Sequence, residues 1–177
     1  EALNTGFRFS TGAYLSWVCD DDQLVPTAIE ELVGFLEEHR DVDFTYADYW
    51  FIDSRANVVR EVDVRRAEHL SEMNCIGPCR LYRRIVYEVV GDYDPETRLA
   101  EDYDYWLRVK CRFRMAPLHR RLYYFRQHEG SLTDRFSFEA KRVAERARLR
   151  HGWIDRAEYR RALEVVDLRE AIARGKR

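Results

Sequence analysis

Three consecutive carboxylates, Asp20-Asp21-Asp22, follow Cys19 at the end of the apolar run Ala13-Tyr14-Leu15-Ser16-Trp17-Val18. Gln23-Leu24-Val25-Pro26 then leads into a helical pattern. Carboxylates at the carboxyl end of a strand in an α/β fold stand where such folds bind ligands. Adjacent carboxylates repel one another, and a cation or strong hydrogen-bond donors relieve that cost. Hard divalent cations take carboxylate oxygens and often bridge to phosphates. The cluster therefore suits a metal–phosphate site, or more plainly a solvated acidic turn that caps the next helix. A second acidic group, Glu101-Asp102-Tyr103-Asp104, opens another helical stretch, where negative charge complements the helix dipole.

The elements around these residues follow from pattern. A short helix is expected through Phe7–Ser10, ended by Gly12 as a left-handed cap. Tyr14–Val18 is apolar on both faces and reads as a buried strand. Pro26 suits the first turn of a helix whose Ile29, Leu32, Val33 and Leu36 repeat at i, i+3, i+4 and i+7. Two β-prone pieces, Asp43–Tyr49 and Tyr49–Ile52, follow, the second forming a hairpin with Val58–Val62. Residues 65–73 read as an irregular loop. A strand-like piece around Leu81-Tyr82 precedes a short helix, Arg83–Val90, capped by Gly91. The helix that starts at Glu101 runs to about Arg112 and buries Tyr103, Trp106, Leu107 and Val109. Leu118–Phe125 is an aromatic-rich strand leading into the polar loop Arg126–Thr133. Phe136–Arg150 and a segment capped by Asp155 complete a charged helical tail.

The 177 residues suit one domain with a sizeable core. A formal net charge of −2 argues against a general nucleic-acid binder. The four cysteines form no CxxC pair, and the histidines complete no zinc pattern. They read as reduced, buried thiols of a cytoplasmic protein. No run is long enough to cross a bilayer. The charged tail suits a solvated helix better than a peripheral contact with the inner face of a membrane.

Several separated pieces agree with one family in order. They are Asn4-x-Gly6, Gly12-x-Tyr14-Leu15 with Asp20-Asp21-Asp22, Pro26, Tyr46-Ala-Asp48, and Ile76-Gly77-Pro78-Cys79 with Leu81-Tyr82-Arg83-Arg84. Gly91-Asp-Tyr-Asp94, Glu101 to Arg108, and Tyr124-Phe125-Arg126-Gln127-His128-Glu129-Gly130-Ser131-Leu132 complete the set. On these residues the chain resembles the carboxyl-terminal portion of a family 2, GT-A type glycosyltransferase domain, lacking the first nucleotide-binding strands. The resemblance covers roughly residues 3 to 134. It implies an α/β fold, a mixed sheet flanked by helices, as an incomplete GT-A domain over 1–134 with a helical appendage over 135–177.

The resemblance also implies roles. The family's Asp motif (DXD) holds a divalent metal, Mn2+ or Mg2+, together with the donor's ribose and diphosphate. Here that gives Asp21, Asp22 and His128 for the metal. Asp20, Asp21, Asn4, Gly6 and Arg126 fall on the donor side. The family often has another Asp where Cys19 stands. Its Glu-Asp motif, which supplies the base of inverting transfer, falls on Glu101 and Asp102. Ile76, Gly77 and Pro78 line the acceptor side, where Gly and Pro permit close backbone approach. The implied reaction moves a sugar from a nucleotide-diphosphate donor to a glycan, lipid or other hydroxyl. It needs charge neutralisation on the leaving diphosphate and a carboxylate to take the acceptor's proton. The rival readings are a non-catalytic remnant that binds a partner through an uncovered sheet edge, and a metal-dependent phosphohydrolase.

Overall fold

The computed structural model describes residues 2–128, 131 and 136–175. Half of the expected polar loop Arg126–Thr133, and the expected boundary at 134–135, lie outside the described residues. The described chain forms two compact units. One comprises Glu1–Asp92 with Val109–His128, the other Tyr93–Arg108 with Glu129–Arg177.

The first unit is built on a six-stranded sheet. In chain order its elements are α1 (Ala2–Phe9), β1 (Tyr14–Leu15), β2 (Gln23–Leu24), α2 (Ala28–Glu38), β3 (Phe44–Ile52), β4 (Val58–Val62), β5 (Cys79–Arg83), α3 (Arg84–Val90) and β6 (Met115–Arg126). The strand order is β1-β5-β3-β6-β2, with β4 added to β3. β3 lies in the middle of the sheet, and its first five residues, Thr45 and Asp48 among them, are all buried. On one side it pairs parallel with β6 over its whole length. On its other side two antiparallel partners follow one another, β5 along Phe44–Ala47 and β4 along Tyr49–Ile52. The two β-prone pieces expected from sequence are thus one strand that changes neighbours.

The apolar run before the acidic cluster is not a buried strand. Only Tyr14–Leu15 pair with β5, and they form an edge of the sheet. At Ser16 the hydroxyl donates to the Arg80 carbonyl (2.6 Å), and the ladder ends. The chain then passes to the opposite edge, where Gln23–Leu24 pair antiparallel with Tyr123–Tyr124 of β6. Val18 is left 42% exposed on this passage. The acidic cluster is a turn between two edge strands.

α2 covers the sheet with Ala28, Leu32 and Leu36, all buried with Val42, Ala47, Cys79, Leu81, Leu122 and Tyr123. The stripe runs at i, i+4, i+8, so Ile29 faces outward and Val33 only flanks the core. The small Ala28 lets the first turn approach the sheet, and Thr27 rather than Pro26 precedes the helix. α1 begins at Ala2, five residues before the expected start, and closes when the Ser10 hydroxyl donates to the Phe7 carbonyl (2.7 Å). Gly12 is not left-handed, so that cap is replaced by Ser10. Gly91, at φ 81°, ends α3 as expected. The stretch 65–73 contains a 3-10 turn, Ala67–Ser71, which buries Ala67 and Leu70 three residues apart, the period of that helix.

In the second unit Pro95–Thr97 form a 3-10 turn, and α4 (Glu101–Lys110) enters it. α5 (Ser137–Arg150) and α6 (Arg156–Gly175) form the tail. Tyr105 of α4 stacks on Tyr93 at 4.1 Å, with the Trp106 ring edge-on to both. α6 starts with a reciprocal cap. Asp155 Oδ1 accepts from the Ala157 and Glu158 amides, and Glu158 Oε2 accepts from the Asp155 amide. Arg142 of α5 reaches Asp167 and Glu170 of α6.

Candidate active site

The acidic turn is held from beneath by the end of β6. Pairing of β2 with β6 brings Tyr123 and Arg126 against it. Asp22 Oδ2 accepts from the Tyr123 hydroxyl (2.8 Å) and Oδ1 from the Arg126 backbone amide (2.7 Å). The Arg126 guanidinium donates through Nε to the Asp21 carbonyl (2.8 Å) and through Nη1 to the Asp53 carbonyl (2.9 Å). It ties the turn to the β3–β4 hairpin. Two residues on, His128 Nε2 lies 3.0 Å from Asp21 Oδ2. Asp20 is exposed on the same turn.

The turn gathers three carboxylates, and Asp22 among them is half-buried. Burial raises the Asp22 carboxyl above the ordinary Asp range, and the neighbouring Asp21 carboxylate adds to this. The donors from Arg126 and Tyr123 offset it only in part. Burial, together with Asp22 and Asp21, pushes the Cys19 thiol up to about 11. Cys19 Sγ and one oxygen each of Asp21 and Asp22 lie within 4.8 Å of one another. Convergent carboxylate oxygens on one turn fit a hard divalent ion. Mn2+ and Mg2+ prefer oxygen to sulfur donors, which leaves the two carboxylates as the principal ligands, with His128 beside Asp21.

The structure thus brings Asp21, Asp22, Arg126 and His128 to one point. Gly6 lies on α1 and lines a cavity of about 440 Å³ with Leu3, Phe7, Tyr14, Leu15 and Trp17. Asn4 is on the same helix and half-buried. Ile76 and Gly77 are buried ahead of β5, and Pro78 is half-buried. Gly77 sits against the Tyr49 ring: a Cβ there would lie 2.9 Å from ring atoms and 3.1 Å from Val64 Cγ1.

Glu101 and Asp102 belong to the second unit, as the first two residues of α4. Both are half-buried. Glu101 Oε2 is fully buried with no hydrogen-bond partner among the described residues. Asp102 Oδ1 accepts from the Tyr103 amide (2.7 Å). Such acids at a helix start are favourable, but a buried carboxylate oxygen without a donor is costly unless something supplies one.

Reading by residue type missed Tyr123, Asp53 and the contribution of Cys19. Tyr123 and Asp53 reach the turn only through non-local strand pairing, which leaves no local signal. Cys19 was visible as the residue standing where an Asp is usual.

A mixed sheet flanked by helices, with an acidic turn joining its two edges, is a GT-A glycosyltransferase fold. It superposes on the structure of S. aureus TarS 1-349 in complex with UDP-GlcNAc, with a TM-score of 0.61 and 16% identity, over 90% of this chain and 49% of that one. S. aureus TarS gives a TM-score of 0.57 over 91% of this chain and 29% of that one. The chain belongs to glycosyl transferase family 2, whose model matches residues 1–91. An uncharacterized glycosyltransferase RC0461 of Rickettsia conorii is 30% identical over 130 residues, 67% of this chain and 21% of that protein. A PGL/p-HBAD biosynthesis glycosyltransferase of Mycobacterium tuberculosis is 26% identical over 61% of this chain and 42% of its own length. The chain therefore spans between about a fifth and two fifths of these relatives' length.

Proposed function

We propose that the protein carrying this chain transfers a sugar from a nucleoside-diphosphate donor to a hydroxyl acceptor, with inversion at the anomeric carbon. The observation that carries this reading is the convergence of Asp21, Asp22 and His128, from segments about a hundred residues apart, on one acidic turn. A nucleotide-sugar donor is supported by the likeness to TarS, whose structure holds UDP-GlcNAc.

Asp21 and Asp22, with His128 at Asp21, would hold Mn2+ or Mg2+. When bound, such an ion neutralises charge on the donor's diphosphate. Asp20, the exposed acid of the same turn, is assigned to the donor ribose, and Gly6 and Asn4 to the donor side of α1. Arg126 serves the donor by holding the turn through two main-chain carbonyls. Ile76, Gly77 and Pro78 face the acceptor.

Asp102 is the base. Its carboxylate takes the proton from the acceptor hydroxyl as that oxygen bonds to the anomeric carbon. The bond from that carbon to the diphosphate oxygen breaks, and the nucleoside diphosphate leaves with the electron pair. A single displacement of this kind inverts the configuration. Glu101, the other acid of the pair, is assigned to the same catalytic step beside Asp102.

The test is a panel of UDP-, GDP- and dTDP-sugars supplied to the complete protein with Mn2+, following nucleoside diphosphate release and product anomeric configuration by NMR. Release with an inverted product is expected. Release of inorganic phosphate instead, or a retained configuration, would overturn the reading.

A further inference from the structure

We infer that the carboxyl end of α5 is a working part of the catalytic apparatus, and that His151 there is a positioning residue for the base. The inference rests on the reading of Asp102 as that base. Asp102 sits in the first turn of α4, and Asp104, two residues on, is 1% exposed. A buried carboxylate is tolerated only when donors satisfy its oxygens. Asp104 has two. Arg108 Nε donates to Oδ2 at 3.0 Å, and His151 Nε2 donates to Oδ1 at 2.6 Å. Arg108 lies one turn along the same helix, so its bond cannot fix α4 against anything else. His151 directly follows α5 and ends it, and its bond links the start of α4 to the tail.

The rest of the corner reinforces this link. Arg150, next to His151, pairs with Asp94. Tyr93, next to Asp94, stacks on Tyr105, next to Asp104. Gly152 follows at φ 72°, a left-handed conformation that lets the chain leave the helix immediately after His151. Two neighbouring tail residues thus hold the two segments that bracket Asp102. A base misplaced by a fraction of an ångström loses rate without losing substrate binding. His151 therefore contributes to kcat through Asp104 while touching no substrate.

The experiment uses the complete protein and the sugar nucleotide turned over fastest in the donor panel. It compares H151A, H151Q, R142A and D102N by donor turnover and thermal unfolding. The H151A variant should lose about 10-fold to 100-fold in kcat, with the donor KM changed by less than about 3-fold. The H151Q variant carries an amide N–H near the place of Nε2 and should recover most of that loss. R142A weakens the α5–α6 ion pairs elsewhere in the tail and should keep wild-type kcat. Wild-type kcat in H151A overturns the inference. So does an H151Q as slow as H151A, or an R142A that slows as much, since either reduces the tail to general stabilisation. Full turnover in D102N overturns the base reading itself. Loss in D102N with an unimpaired H151A overturns the positioning role alone.

Discussion

Asp22 is where charge, burial and proposed chemistry meet. Its carboxyl is raised above the ordinary Asp value by burial and by Asp21. A carboxyl raised on folding favours the folded state while protonated, and that contribution is lost as pH rises through the raised value. The charged form at neutral pH is therefore a cost in the metal-free protein. Asp22→Asn should leave the thermal midpoint of the metal-free protein unchanged or higher, while Mn2+ affinity falls at least about tenfold. The same shift lets protons compete with the ion at higher pH than for an ordinary Asp. Mn2+ affinity should decline on acidification before an unperturbed carboxylate would titrate, and calorimetry across pH checks this. Tyr123→Phe removes one of the donors that restrain Asp22 and should cost about 1 kcal/mol of stability in denaturant unfolding. An unchanged midpoint in that variant would deny the hydroxyl its part in the site.

At the scale of elements, the approach to β5 carries a constraint that substitution can expose. Gly77 passes under the Tyr49 ring with no room for a Cβ. Gly77→Ala should destabilise by about 1–3 kcal/mol, read from urea unfolding, because ring and Val64 must both shift. The elements also mark what could be read from the sequence. The presence of α2 (though not its buried stripe), the hairpin 49–62, the Gly91 stop and the Asp155 cap were legible because each is written in residues within one turn or one hairpin. The acidic turn was legible as chemistry but not as geometry. Val18 and Trp17 look like strand interior, yet the Ser16 hydroxyl takes the Arg80 carbonyl and the ladder ends. The parallel pairing of β3 with β6, which delivers Tyr123, Arg126 and His128, joins segments some seventy residues apart. No local pattern encodes that register.

For the whole molecule, the division into two compact units assigns the proposed chemistry to separate parts of the chain. The metal turn, β6 and His128 lie in one unit, and Glu101, Asp102 and the tail in the other. No described helix is long and apolar enough to cross a membrane. Membership of family 2 rests on the first half of the chain, while the TarS likeness extends through 90% of it. A divided apparatus has a testable consequence: Asp102→Asn should abolish turnover and leave Mn2+ affinity within about twofold, because neither metal carboxylate is altered. Central to all of this is the proposal that the turn Cys19–Asp22 with His128 is a metal–diphosphate site. Its most direct test is an electron paramagnetic resonance titration of Mn2+ with and without UDP, on wild type and on the Asp21→Asn, Asp22→Asn double variant. Saturable Mn2+ binding that UDP strengthens is predicted for the wild type, with loss of both in the double variant. Mn2+ and UDP binding of wild-type strength in the double variant would contradict it.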